Sequence, residues 1–126
     1  MNKNEIVLIH GTDYADMTVR LLTQIDLSSI IGNKAARVAV KPNLVIADTA
    51  DRGAVTHPEI VDGVLRYLSA NGFENVRVIE GSWVGDRTSV AFEESGIAEG
   101  HGEFPHILGT EARQRNETSA RGTVWR

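Results

Sequence analysis

The sequence contains no cysteine. This excludes disulfides, thiolate zinc sites and an iron–sulfur cluster held by the chain's own thiolates. No apolar run approaches the roughly 18 residues that a membrane-spanning helix needs. The apolar run near the start is too short for the apolar region of a signal peptide. We therefore expect a soluble cytoplasmic protein with no membrane partner.

Lysine is also scarce, with three residues against ten arginines, and the formal net charge is −4. An acidic chain is a poor partner for nucleic acid. The sequence also lacks the patterns GxGxxG, GxxxxGK[ST] and GxSxG, which mark common phosphate-binding loops and hydrolase nucleophiles. The four histidines do not have the spacing of zinc ligands. The sequence therefore carries none of these familiar enzyme signatures.

What is present is an ordinary globular composition, with 126 residues of which 41% are apolar. Short apolar runs, which predict strands, alternate with amphipathic segments, which predict helices. The strands are expected at Ile6–Ile9, Arg37–Lys41 and Val76–Ile79, and the helices at about residues 13–26, 57–71 and 88–95. This order predicts a parallel sheet with right-handed crossovers. We expect a small three-layer βαβαβα domain that is a truncated part of a larger one.

The first helix has apolar residues at Met17, Leu21 and Ile25, which we expect to face the sheet. The segment Leu27–Gly32 is expected to be a looser turn or a second short helix. Ile46–Val55 is polar and is expected to be a loop.

The second and third helices have clear end signals. Thr56 and Glu59 have the spacing of a capping box, and Pro58 fits the first turn. Gly72 and Gly96 are expected to end the two helices in the left-handed conformation. The next residues should then pack back on their helices, Phe73 on Leu68 and Ile97 on Phe92.

The last part of the chain shows no helical or alternating apolar period. We therefore expect a domain over residues 1–99 and an irregular or flexible tail over residues 100–126. A second interpretation of the tail stays open, in which unrelated sequence replaces the natural continuation.

Ligands of open parallel sheets bind outside the carboxyl ends of the strands. The predicted ligand-binding residues are those that this rule places at one edge: His10, Lys41, Asn43, Thr56, His57 and Glu80. Each also has a structural explanation. Lysine at a strand end can simply be solvated, Asn43 and Glu80 can belong to turns, Thr56 can serve only as a cap, and the histidines can be structural. Catalytic residues are not identified by this pattern.

Three segments together resemble the N-terminal part of the domain-of-unknown-function family 362. They are Val40-Lys41-Pro42-Asn43, Thr56-His57-Pro58-Glu59 with its helix ending at Gly72, and Val76 to Gly81. Ser95-Gly96-Ile97 is also similar, so the resemblance covers about Ile6 to Glu99. Members are usually longer, and some carry ferredoxin-like cysteine motifs. The resemblance therefore implies a truncated member with a loose link to iron–sulfur redox proteins, and no established activity.

Three functions are compatible with these observations. The first is a small-anion or substrate-binding α/β domain, part of an enzyme or of an iron–sulfur-associated redox protein. The second is a divalent-metal-dependent enzyme domain that uses His10, His57, Glu80 and Asp48. The third is a non-catalytic interaction module that offers a sheet edge to a partner. Open sheet edges also predict a homo-oligomer. The cofactor and the reaction stay open.

Overall fold

The computed structural model describes residues 4–80, 88–97 and 107–109. The helices in these ranges are α1 (Tyr14–Gln24), α2 (Leu27–Ile31), α3 (Pro58–Ala70) and α4 (Thr88–Glu94), with a 3-10 turn at Ala50–Arg52. The strands are β1 (Val38–Val40), β2 (Val76–Glu80) and β3 (Ile107–Gly109). They form a parallel sheet in the order β1-β2-β3, so the predicted α/β class is confirmed. No helix in the described ranges has the length and apolar character to cross a membrane.

The described helices that connect the strands pack on one face of the sheet. Since chain order and sheet order agree, right-handed crossovers place α3 and α4 on the same side. Val76 and Val78 of β2 are buried in one cluster with residues of both helices, whereas Arg77, on the opposite face, is exposed. The three-layer architecture stays a prediction.

Helix α1 packs against α3 at a close approach between their backbones. A Cβ atom on Gly63 of α3 would lie 2.6 Å from the carbonyl oxygen of Ala15 and 2.7 Å from Cβ of Thr18. The α1 residues that pack against the main core are Val19 and Leu22. The predicted stripe of Met17, Leu21 and Ile25 was therefore misplaced, because α1 is directed by its contact with α3 and not by the sheet.

The predicted first strand, Ile6–Ile9, is wrong. This segment is irregular, and Ile6 and Leu8 are 91% and 83% exposed. A strand needs a hydrogen-bonding neighbour, and the outer side of β1 pairs with no other described strand. Val7, Leu8 and Ile9 instead lie beside α1, where they line a cavity of about 210 Å³ with Tyr14, Met17, Thr18, Leu21 and Ile60.

The ends of α3 and α4 confirm the glycine predictions. Gly72 and Gly96 have φ values of 78° and 75°. After α3, the Phe73 N–H donates to the Leu68 carbonyl at 3.0 Å and the Gly72 N–H to the Ser69 carbonyl at 2.9 Å, which is the Schellman pattern. Phe92 and Ile97 are both buried in the core. Of the two alternatives for Leu27–Gly32, a looser turn or a short helix, the structure has the helix, α2.

Strand β3 lies within residues 100–126, which were expected to be irregular or flexible. Ile107–Gly109 pairs in parallel with Val78–Glu80. Three residues give too short a pattern to show an alternation, which is why the apolar period was missed. The other residues of 100–126 lie outside the described ranges, and the position of a boundary between domain and tail stays a prediction.

Candidate functional site

Lys41 and Glu80 meet at the carboxyl edge of the sheet. Lys41 directly follows β1 and Glu80 is the last residue of β2, and these strands are parallel neighbours. The Lys41 Nζ lies 2.6 Å from Glu80 Oε2. The side chain of Lys41 is 64% exposed, whereas that of Glu80 is 4% exposed. The sequence-based prediction that these two residues share one edge is therefore correct in its geometry.

The burial of Glu80 follows from its place in β2. Side chains alternate along a strand, so Glu80 lies on the same face as the core residues Val76 and Val78. The turn interpretation of Glu80 is thus wrong. Its Oε2 makes no hydrogen bond in the described part of the chain, so the contact with Lys41 is an ion pair without hydrogen-bond alignment. A buried carboxylate is costly without a counter-ion, and Lys41 supplies it.

Asn43, two residues after Lys41, forms a second pair with Thr56. The Asn43 N–H donates to Thr56 Oγ1 at 2.8 Å, and the Thr56 N–H donates to the Asn43 carbonyl at 2.9 Å. Asn43 Nδ2 donates to the Ala54 carbonyl at 2.9 Å. An antiparallel bridge between Leu44 and Val55 continues this pairing. These bonds close the segment from 43 to 56 into a loop at the sheet edge.

The predicted capping box at the start of α3 is wrong. The Thr56 hydroxyl serves the Asn43 N–H, and the N-cap is His57, which makes no side-chain cap bond. Pro58 occupies the first turn, as predicted. A capping box requires the Thr56 hydroxyl, which here accepts the hydrogen bond from the Asn43 N–H instead. Helix α3 therefore begins without a side-chain cap.

His57 links the starts of α1 and α3. Its ring centroid lies 4.6 Å from that of Tyr14, with the ring planes tilted by 38°. Its Nδ1 is 3.9 Å from Glu59 Oε2. Sequence reasoning missed Tyr14, although its position directly after Asp13, the N-cap of α1, was a signal that it lies at a helix start. The ring contact supports the structural interpretation of His57.

His10 is not brought to the pair of Lys41 and Glu80 by a strand, because Ile6–Ile9 is irregular. The described contact of His10 is with α1, where its carbonyl accepts from Arg20 at 3.5 Å.

The four residues considered for a divalent ion also do not gather into a ligand set. Within the described ranges, no group of three or more His, Asp, Glu or Cys side chains could hold a metal ion. Asp48 instead accepts from the Thr49 N–H at 2.8 Å and lies 3.6 Å from Nε of Arg52.

The arrangement at the edge can present one oriented cation to solvent. An ammonium group has three donors, and the ion pair with Glu80 restrains Lys41 while leaving most of its side chain exposed. Asn43 follows Lys41 by two residues and bonds Thr56, which directly precedes His57, the N-cap of α3. A helix N-terminus carries partial positive charge. These features suit a small anion better than a metal ion.

A family model described as Domain of unknown function (DUF362) matches residues 38–125. The matched range contains β1, α3 and β2. It also contains the ion pair of Lys41 with Glu80 and the hydrogen-bonded pair of Asn43 with Thr56. It also includes most of residues 100–126, which argues against the interpretation of that segment as unrelated sequence. No curated protein and no solved structure matches the chain.

Proposed function

Because this chain belongs to the DUF362 family, whose description assigns no activity, we propose its function from the sheet edge: it binds a small anion, or the anionic group of a substrate. Lys41 provides the charge, and the loop closed by Asn43 and Thr56 forms the rim of the site. The domain would act within an enzyme or an iron–sulfur-associated redox protein, with any cluster held by thiolates outside this sequence.

The observation that carries this proposal is the ion pair between exposed Lys41 and buried Glu80. An exposed lysine on its own samples many positions, and ordering it costs entropy when a ligand binds. Glu80 is fixed by its strand and restrains the ammonium at the carboxyl edge, so part of that cost is met before binding. The same pairing weakens the site, because the carboxylate offsets the charge of the lysine. We therefore expect dissociation constants in the millimolar range for inorganic anions.

The loop and the start of α3 support the site in a different way. Asn43 and Thr56 bond each other and are therefore positioning residues. They fix the short connection that runs from Lys41 to the loop. The N–H groups of the first turn of α3 add a favourable field worth about 0.3–1 kcal/mol for an exposed anion.

The experiment is a thermal-unfolding titration with sodium sulfate, compared with sodium chloride at equal ionic strength. Lys41→Met alone is a poor test, because it leaves Glu80 buried without a cation and should destabilise the protein by roughly 1–3 kcal/mol. The double variant Lys41→Met/Glu80→Gln removes both charges and keeps the net charge. A control, Lys34→Met, removes a lysine whose Nζ lies 4.2 Å from the ring centroid of Phe73, away from this pair.

Sulfate at ten times its dissociation constant should stabilise the parent protein by about 1.4 kcal/mol. The Lys34 variant should respond in the same way, and the double variant should not respond beyond the chloride effect. An equal response of the double variant would show that Lys41 does not bind the anion.

A further inference from the structure

We infer that anion binding at Lys41 is coupled to the uptake of a proton by Glu80. This inference rests on the proposed function, since it concerns the regulation of the same site. Its origin is the unequal exposure of the two partners: the ammonium is open to ligands, and the carboxylate is enclosed.

Glu80 depends on Lys41 for its negative charge. Its side chain is 4% exposed, and its Oε2 makes no hydrogen bond among the described residues. Water therefore does little to stabilise the carboxylate, and among the described residues Lys41 Nζ, at 2.6 Å, is the cation that does so. Burial without a compensating cation favours the neutral acid.

An anion at Lys41 disturbs this balance whichever way the lysine moves. If the ammonium turns toward the anion, Glu80 loses its counter-ion. If the ammonium holds both groups, two anions share one cation at close range, and like charges disfavour each other's ionised forms. In either case the charge is relieved when a proton from solvent bonds to a carboxyl oxygen of Glu80. By linkage, the bound state then holds more protons than the free state, so anion affinity rises as the pH falls.

Among the described residues the ion pair of Glu80 is with Lys41, and Asp62 and Arg66 of α3 pair with each other at 2.6 Å. Strand β3 consists of Ile107, Leu108 and Gly109 and has no ionisable side chain. Glu93 and Glu94 of α4 are exposed, and Arg77 of β2 lies on the opposite face. At the start of α3, His57 and Glu59 lie 3.9 Å from each other. A control must therefore separate any contribution of His57 from that of Glu80.

The test uses sulfate, which does not change its own protonation near neutral pH. Isothermal titration calorimetry of the parent protein is carried out at about pH 5.5 in two buffers that differ in ionisation enthalpy. A proton taken up on binding comes from the buffer, so the observed binding enthalpy should differ between the buffers with the sign of uptake. The association constant should fall with rising pH, by up to about tenfold per pH unit where a full proton is exchanged.

Glu80→Gln supplies the matched control, because its amide mimics the neutral acid. This variant should bind sulfate more tightly than the parent, with the same enthalpy in both buffers and little pH dependence. A pH dependence that persists in Glu80→Gln would assign the coupling to a histidine and overturn the inference. Equal enthalpies in both buffers for the parent would also overturn it, and that measurement does not depend on a variant that folds.

The two proposals fail in different ways. Sulfate binding that is lost in Lys41→Met/Glu80→Gln but shows no proton uptake keeps the anion site and removes the coupling. No sulfate binding to the parent at any pH removes both.

Discussion

Gly63 shows how a single missing side chain sets the position of a helix. It lies in the middle of α3, where glycine is unfavourable by about 1 kcal/mol relative to alanine. The unfavourable choice is explained by the contact with α1, because a Cβ atom would meet the Ala15 carbonyl at 2.6 Å. The sequence contained this glycine inside a helical pattern, but nothing local identifies the partner that approaches it.

We predict that Gly63→Ala destabilises the protein, although alanine is the better helix former. The expected loss in unfolding free energy is about 1–3 kcal/mol, because the clash involves backbone that cannot move independently. Urea unfolding followed by circular dichroism measures it. Ser69→Ala, at an exposed position of the same helix, is the control and should change stability by less than about 0.5 kcal/mol. A stabilised Gly63→Ala would mean that α1 and α3 do not approach closely.

At the scale of the elements, local sequence signals identified helices more securely than strands. Glycine ended α3 and α4 as expected, because the left-handed conformation is a property of single residues. Strands depend on partners that are often distant in sequence. The apolar segment Ile6–Ile9 therefore resembled a strand without forming one, and the short β3 was missed. The capping box failed for a similar reason, since Asn43 lies far along the chain from Thr56.

The start of α3 allows a test of whether the Thr56 hydroxyl bonds the Asn43 N–H or forms a capping box with Glu59. Thr56→Val removes the acceptor of the Asn43 N–H and should cost about 0.5–1.5 kcal/mol of unfolding free energy. Glu59→Gln should have almost no effect, because no capping box includes Glu59 and its side chain is exposed. Denaturant unfolding of both variants and the double variant distinguishes the two arrangements. A large, non-additive effect of the Glu59 change would restore the capping box.

Helix α2 should be sensitive to acid through its N-cap, Asp26. The side-chain hydrogen bond with Ser29 holds the pKa of Asp26 below its ordinary value of 3.8. A lowered folded-state pKa means that the contribution to stability is present above the unfolded-state pKa and is lost as the pH falls through the folded-state value. Asp26→Asn should abolish this part of the pH dependence. An NMR titration of the Asp26 carboxyl checks the direction, and a pKa above 3.8 would contradict it.

For the molecule as a whole, the sequence was sufficient for the α/β class and for the placement of Lys41 and Glu80 at one edge of the sheet. Alternation of strands and helices, with the placement of polar residues after strands, carries that information. The sequence could not show which of these polar groups bond one another. The burial of Glu80 depends on strand alternation at the last residue of β2, and its pairing with Lys41 depends on the register of two distant segments.

The protein should self-associate through its exposed apolar segment and the outer edge of β1. Ile6 and Leu8 are largely exposed, and β1 has a described strand partner on one side, β2. An unpaired edge next to apolar side chains favours pairing with another chain. Light scattering at tens of micromolar should give a dimer mass, about twice that of the chain. Leu8→Lys should shift the protein to monomer, whereas Arg77→Lys, on the open sheet face, should not. A monomeric parent protein at this concentration would refute the prediction.

The parallel order of the sheet also has a consequence for the folding rate. Val38 of β1 pairs with Val76 of β2, and Val78 pairs with Ile107 of β3, so every ladder joins distant segments of chain. Pairing of distant segments loses loop-closure entropy before its contacts form, and this slows folding. Helix α3 shortens the first of these connections, and its buried residues Leu65 and Leu68 lie in the core that both strands share. We expect Leu65→Ala to slow folding, as measured by stopped-flow chevron analysis. The nucleus of this molecule would then be the docking of α3 on the paired strands β1 and β2.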